Sequence, residues 1–106
     1  MKKDRTWENA APGIKRRLVA LGDKIMTMEV QFEKGAIGAL HSHVHEQVTI
    51  VMSGHFRFQI DQTDHEIRTG DVLLIPSNAI HGVQTLEAGI LMDTFNPVRE
   101  DLLELD

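Results

Sequence analysis

One stretch of the chain decides its fold: Gly35-Ala36-Ile37-Gly38-Ala39-Leu40-His41-Ser42-His43-Val44-His45-Glu46-Gln47. A single residue separates His41 from His43, so on an extended strand both side chains leave the same face. Neutral imidazole is a common protein ligand of divalent transition metals. Gln47, together with His81 further along the chain, is available to complete the set. The stretch therefore predicts a metal site.

A second stretch supplies the further histidine: Gly70-Asp71-Val72-Leu73-Leu74-Ile75-Pro76-Ser77-Asn78-Ala79-Ile80-His81. Three imidazoles buried together without a metal would have desolvated nitrogens and would repel one another when protonated, whereas a cation satisfies all three lone pairs. We therefore expect His41, His43 and His81 to bind a metal. His55 and His65 each lie beside a predicted turn, and we interpret them as surface or hydrogen-bonded residues.

The residues alone leave the remaining ligand open. His45 has the same strand parity as His41 and His43, so it is an alternative partner for His43. Glu46 offers a carboxylate, which is a much commoner metal ligand than an amide. Gln47 would instead leave the metal its full positive charge, which makes a stronger Lewis acid and a stronger trap for anions.

The rest of the chain has the pattern of an all-β barrel or sandwich. From residue 14 almost to the end, short segments of alternating apolar and polar residues are separated by turn residues, and helix is scarce. About ten short strands are predicted on this pattern. Residues 99–105 are expected to form a helical turn or a flap that packs on the barrel or on a second subunit. The predicted turns are Gly22-Asp23, Ser53-Gly54, 61–64, Gly70-Asp71 and 87–89.

Length and composition exclude several classes of protein. The 106 residues suffice for one domain with a single modest core. A net charge of -5 argues against nucleic acid or an anionic membrane as partner, and we expect the triplet Lys15-Arg16-Arg17 to face solvent. The chain has no cysteine, so a metal would have only nitrogen and oxygen ligands. No apolar leader or membrane-length apolar segment is present, which predicts a cytoplasmic protein.

A second group of polar residues lies near the end of the chain, in Asp93-Thr94-Phe95-Asn96-Pro97-Val98-Arg99. Asp93 and Phe95 share one face of a strand. If that face points inward, a carboxylate enters an otherwise apolar barrel and needs a functional reason. The alternative from the pattern alone is an ordinary ion pair between Asp93 and Arg99.

The two histidine stretches resemble the motifs of the cupin superfamily. The first motif is Gly, five residues, His-x-His, three or four residues, Glu, six residues and Gly; the second is Gly, five residues, Pro-x-Gly, two residues, His, three residues and Asn. The resemblance implies a single cupin domain over residues 1–106, built as a double-stranded β-helix or jelly-roll barrel. Gln47, Asn78 and Thr85 replace the motif's Glu, Gly and Asn. The matching positions are Gly35, His41, His43, Gln47 and Gly54, then Gly70, Pro76, Asn78, His81 and Thr85.

The cupin spacing also implies a ligand set. The spacing of the first motif fits this sequence only if His41 and His43 are the two histidines of its His-x-His pair. His45 and Glu46 would then lie at the rim of the site. One divalent transition metal per chain is expected, and imidazole with amide suits nickel, zinc, manganese and iron alike. The implied ligands are His41, His43, Gln47 and His81.

Most of the chain further resembles the small cupins of pectin degradation. Members of that family are taken to convert 4,5-unsaturated monouronates, released by pectin and alginate lyases, into open-chain keto forms. The resemblance implies catalytic roles for Asp93 and Arg99, and substrate binding by Phe95 and Arg99. The residues that carry it are Trp7, Gly13, 26–30, 32–36, 41–47, 53–56 and 93–99.

These observations define the expected partners and the alternatives. The expected partner is a small anionic sugar. We also expect a homodimer, because an exposed amino-terminal strand on a small barrel is commonly paired across a two-fold axis. Two other functions remain open at this point: a non-catalytic sugar- or effector-binding cupin that uses its metal only to fix a ligand, and a metal-dependent dioxygenase.

Overall fold

The structure is a computed structural model that describes residues 5–103. It consists of antiparallel strands joined by short turns, as the alternating sequence pattern predicts. Within residues 5–103, no helix is long and apolar enough to cross a membrane. The strands are β1 (Glu8–Ala11), β2 (Ile14–Leu21), β3 (Met26–Phe32), β4 (Ile37–His41), β5 (Glu46–Ile60), β6 (Thr63–Arg68), β7 (Val72–Ile75) and β8 (His81–Asn96).

Two long strands, β5 and β8, hold the barrel together. They pair with each other along almost their whole length, from Glu46 opposite Asn96 to Ile60 opposite His81. The first half of β5 also pairs with β7 and its second half with β6, while β8 pairs first with β4 and then with β3. β2 and β1 continue the sheet beyond β3. Each long strand thus contributes to two walls of a jelly-roll barrel, as predicted.

The prediction of about ten short strands is wrong, because two of the predicted turns lie inside long strands. Ser53-Gly54 and 87–89 are irregular points in the β5–β8 ladder, where the register shifts. Gly54 has φ of 100°, and a Cβ atom on it would lie 2.8 Å from the carbonyl oxygen of Ala88. The two backbones therefore pass too closely for a side chain at this point. The chain bends here without reversing direction.

The shift at this point changes which residues of β5 face the interior. Before it, Gln47, Thr49 and Val51 point inward, and after it Phe56 and Phe58 do so. Around the shift the interior is apolar, and Phe56 packs edge-on against Phe32 with ring centroids 5.3 Å apart. We call this region the apolar end; it comprises Phe32, Val51, Phe56, Ile67 and Leu91.

At the opposite end of the barrel the inward positions are polar. We call this region the polar end. It comprises the buried residues Gln47, Thr49, His81 and Asp93, with the half-buried His43 and the exposed His41 at its mouth.

Two smaller features follow the sequence closely. Asn78, which stands where the second cupin motif has glycine, has φ of 66°, a left-handed conformation that asparagine tolerates better than most residues. In the tail, residues 100–103 form turns, and Leu102 and Leu103 pack on the core as a flap. Leu105 lies outside the described residues.

β1 is an edge strand of the sheet, and the homodimer predicted through it stays a prediction.

Candidate metal centre

Three histidines converge at the polar end of the barrel. His41, the last residue of β4, lies directly opposite His81, the first residue of β8. Their ring centroids are 4.3 Å apart, and the His43 ring lies 4.9 Å from that of His81. One nitrogen from each of the three rings lies within 4.8 Å of the others, a spacing that can hold one metal ion. The prediction that these three residues share a site is consistent with this geometry.

His43 reaches the site by a different route from the one predicted. The strand parity argument assumes that His41 and His43 lie on one strand, but β4 ends at His41 and His43 lies in the connection to β5. That connection is held against the loop before β8. The backbone N–H of Asn78 donates to the His43 carbonyl over 2.8 Å, and the Ser77 hydroxyl donates to the Val44 carbonyl over 2.6 Å.

The outer nitrogen of each ring contacts the backbone. Nδ1 of His41 lies 2.9 Å from the carbonyl oxygen of Ala39, and Nδ1 of His43 lies 3.0 Å from that of His45. Nδ1 of His81 lies 2.9 Å from the carbonyl oxygen of Ala79. A carbonyl oxygen only accepts, so Nδ1 carries the proton in all three rings. In this tautomer the lone pair of each Nε2 is free to bind a metal.

The rings of His43 and His81 are held in the neutral form. The pKa of His43 is lowered to about 4, mainly by burial and also by the positive charges of Arg99 and His81. Burial likewise lowers the pKa of His81, with the charges of His41 and Arg99 acting in the same direction. A metal therefore need not displace a proton from His43 or His81 at neutral pH.

Gln47 faces the histidines, whereas Glu46 faces solvent. The Gln47 side chain is buried, and its amide oxygen lies 3.1 Å from Nε2 of His43. Because Nδ1 of His43 holds the ring proton, this contact brings together two groups that both accept hydrogen bonds. A cation between them would turn the contact into ligation of a metal by both, so the residues present fit a divalent metal.

His45 takes no part in the group of three, although its ring packs edge-on against His43 at 5.4 Å. Glu46, the other alternative ligand, is exposed. Both alternatives lie at the rim of the site.

Asp93 brings a carboxyl group into the same interior. It is only 8% exposed, and one carboxylate oxygen accepts a hydrogen bond of 2.7 Å from the Thr49 hydroxyl. Burial raises the pKa of Asp93 to about 6, against the opposing effects of hydrogen bonds from Thr49 and Gln47 and of the Arg99 charge. A carboxyl group with this pKa exchanges protons near neutral pH.

Asp93 and Arg99 do not form the ion pair that the sequence pattern left as an alternative. Arg99 binds Asp101 with two parallel hydrogen bonds, from Nε over 2.9 Å and from Nη2 over 2.8 Å. Asp101 lies only two residues away and outside the predicted segment, so local geometry favours it. The guanidinium also lies over the Phe95 ring, 5.0 Å from its centroid. Arg99 is thereby fixed in place with its Nη1–Nη2 edge free of these two bonds.

His41, His81, Gln47, Asp93 and Arg99 line one cavity of about 430 Å³. Its volume falls within the range of roughly 300–1,000 Å³ that small-molecule sites have. A larger hollow of about 540 Å³ lies near the crossing of Ser53 and Gly89, but no histidine lines it. We therefore place the functional site in the smaller cavity. The polar and aromatic residues that line it are Arg16, His41, Gln47, His81, Asp93, Phe95 and Arg99, with Phe32 and Phe58.

The sequence analysis missed one charged residue of this cavity. Arg16 was predicted to face solvent with its neighbours, but it lines the cavity and bonds Glu8 over 3.0 Å. The available signal was its position between the buried residues Ile14 and Leu18, since alternate residues of a strand share a face.

The barrel and its histidine motifs agree with a comparison against known protein families. The cupin domain model matches residues 28–92. The chain belongs to the cupin family, and the fold predicted from the two motifs is confirmed.

Among cupins, the chain is similar to proteins of pectin degradation. It is 41% identical to the pectin degradation protein KdgF of Dickeya dadantii (strain 3937) over 99 residues, which covers 92% of this chain and 90% of that protein. The predicted likeness to this group is confirmed.

Two solved structures share the whole barrel. KdgF from Halomonas sp. matches with a TM-score of 0.88 and 32% identity, covering 94% of this chain and 93% of that one. An RmlC-like cupin from Shewanella frigidimarina NCIMB 400 matches with a TM-score of 0.87 and 34% identity, covering 93% and 89%.

Proposed function

We propose that this protein is a metal-dependent cupin enzyme that opens 4,5-unsaturated monouronates, released from pectin or alginate, into their linear keto forms. One observation carries the proposal: a buried aspartate of raised pKa lines the same cavity as Arg99 and as His41 and His81, two of the three clustered histidines. The likeness to the pectin degradation protein KdgF supports the class of substrate.

The reaction rearranges the substrate without an oxidant or a reductant. An unsaturated uronate is a cyclic enol ether with a hemiacetal at C1. Removal of the C1 hydroxyl proton forms the aldehyde as the bond between C1 and the ring oxygen breaks, and that oxygen remains on C5 as an enol. Addition of a proton at C4 and loss of the enol proton give the C5 ketone. The product is an isomer of the substrate.

Asp93 is the residue that we assign to proton transfer. Its pKa of about 6 lets it accept a proton and return it near neutral pH, as a general acid–base group must. When bound by the three histidines and Gln47, a divalent metal supplies Lewis-acid stabilisation of negative charge on substrate oxygens.

Two arginines and one aromatic ring bind the sugar. Arg99 presents the edge of its guanidinium that Asp101 does not occupy, and that edge suits a carboxylate. Arg16 adds a second positive charge to the cavity wall. Phe95, packed beneath Arg99, offers its ring to the apolar face of the sugar.

The test follows the alkene proton of an unsaturated galacturonate by NMR, in the presence of metal-loaded protein. We expect the wild type to remove this signal faster than buffer does. Asp93→Asn keeps the size of the side chain but loses the proton carrier, so kcat should fall by about 10²–10⁴ with metal content unchanged. The matched control is Asp64→Asn at an exposed position of β6, which should behave as wild type.

The same assay separates the other functions. A non-catalytic sugar-binding cupin would bind the uronate and leave the alkene signal at the buffer rate. A dioxygenase would need both oxygen and iron. The proposed reaction should proceed without oxygen and with zinc in place of a redox-active metal, and failure under those conditions would contradict the proposal.

A further inference from the structure

Two hydrogen bonds link Asp93 to Thr49 and Thr49 to Gln47, and the Gln47 amide in turn faces His43. The Thr49 hydroxyl donates to Asp93 over 2.7 Å, and the Gln47 amide nitrogen donates to the Thr49 oxygen over 2.9 Å. At the other end of the same amide, the oxygen lies 3.1 Å from Nε2 of His43. Thr49 is therefore the central member of this series, and its side chain is 0% exposed.

We propose that Thr49 is a positioning residue whose hydroxyl determines which end of the Gln47 amide faces the histidines. The inference rests on the proposed metal site and goes beyond it, since Thr49 neither lines the cavity nor belongs to the ligand set.

The direction of each bond in this series follows from the chemistry of its members. A carboxylate only accepts, so the single hydroxyl proton of Thr49 is used on Asp93. The Thr49 oxygen is then available only as an acceptor towards Gln47, and it selects the NH₂ end of the amide. Gln47 must consequently turn its oxygen towards His43.

The reverse orientation of the amide would disable the site. With the NH₂ group turned towards His43, Gln47 would donate into the lone pair on Nε2 and cap it. The amide oxygen would then face the Thr49 oxygen, whose proton is already used on Asp93, and two buried acceptors would be opposed without a donor.

Two substitutions at Thr49 separate the hydroxyl from the shape of the side chain. Thr49→Val replaces the hydroxyl by a methyl group of similar size, while Thr49→Ser keeps the hydroxyl and removes the methyl group. Thr85→Val is the matched control, because Thr85 is equally buried and its hydroxyl has no hydrogen-bond partner among residues 5–103.

The experiment is calorimetric titration of each metal-free variant with Co²⁺, together with the visible absorption spectrum of the Co²⁺ form. Loss of a residue that orients a metal ligand typically weakens metal binding about 10–100-fold, and we expect a loss in this range for Thr49→Val with an altered spectrum. Thr49→Ser should stay within about threefold of wild type, and Thr85→Val should match it in both affinity and spectrum.

Several outcomes would overturn the inference. Wild-type affinity and spectrum in Thr49→Val would show that the amide needs no help from the hydroxyl. Equal losses of Co²⁺ affinity in Thr49→Ser and Thr49→Val would assign the effect to packing. If Thr49→Val folds poorly, Thr49→Ser alone still tests the inference, because it keeps the hydroxyl and should keep the affinity. One further outcome separates the two proposals. If the wild-type protein binds Co²⁺ but leaves the uronate unchanged, the proposed reaction is ruled out while the inference about Thr49 still holds.

Discussion

The polar and apolar ends of the barrel both draw residues from β5 and β8 and differ in what their inward residues require. At the apolar end, Phe32 and Phe56 are satisfied by packing alone. At the polar end, each buried group needs a specific partner. Backbone carbonyls hold the imidazoles, and Thr49 links Gln47 to Asp93. We infer that the apolar end contributes most to the stability of the fold, and that the polar end lowers this stability because it buries functional polar groups.

Truncation at the apolar end should have the largest effect. Phe56 is fully buried, so Phe56→Ala removes its contacts and leaves a cavity, at a cost of about 3–5 kcal/mol in the free energy of unfolding. Urea unfolding of the metal-free protein measures this. His41→Ala at the exposed rim should cost less than about 1 kcal/mol in the same experiment. Similar losses for the two variants would contradict the division between the ends.

Neutralising Asp93 should raise the free energy of unfolding, whereas Phe56→Ala should lower it. The native pKa of about 6 lies above the ordinary value of 3.8, so the folded state holds this proton more tightly than the unfolded state. The wild type should therefore lose stability as pH rises from about 4 to about 6, and should not recover it above that range. Asp93→Asn removes the buried charge.

We expect metal-free Asp93→Asn to be more stable than wild type by up to about 3 kcal/mol at pH 7.5. The difference should shrink towards zero at pH 4, where both proteins carry a neutral group at this position. Thermal unfolding at the two pH values measures it. An equal difference at both would mean that burial of the charge costs nothing.

At Arg99 the expected effect is on substrate binding. Arg99→Lys keeps the positive charge but cannot hold Asp101 through two bonds and offer a second edge to a carboxylate. KM for the unsaturated uronate should rise about tenfold, with a smaller change in kcat. Steady-state kinetics test this, and a change confined to kcat would instead place Arg99 in proton transfer.

The smallest predicted effect is that of a charge at position 47. Gln47→Glu should keep the metal but cancel one unit of positive charge at the site, so KM for the anionic substrate should rise about threefold. Glu46→Ala is the neighbouring control, because that side chain is exposed and should leave both metal content and KM unchanged. If Glu46→Ala released the metal, the ligand would be Glu46.

Much of the fold and part of the site could be predicted from the sequence. The alternating pattern and the resemblance to the cupin motifs predicted the barrel, and the two histidine stretches predicted the cluster of His41, His43 and His81. The unbroken strands through Gly54 were missed, since glycine in a strand has the same local signature as glycine in a turn.

The contacts of the arginines were missed for a different reason. Arg99 pairs with Asp101, which lies two residues away and outside the segment that drew attention, and Arg16 lines the cavity because its strand turns that position inward. Thr49 gave no signal of its own, as a buried threonine in a strand is ordinary until its hydroxyl partners are seen.

Metal binding by the three histidines is the central claim, and metal content tests it most directly. Wild-type protein dialysed against Ni²⁺ or Zn²⁺ and measured by elemental analysis should hold about one metal ion per chain. The double variant His41→Ala with His81→Ala should hold none, because it lacks two of the three nitrogens that lie within 4.8 Å of one another. Equal metal content in the two proteins would contradict the account.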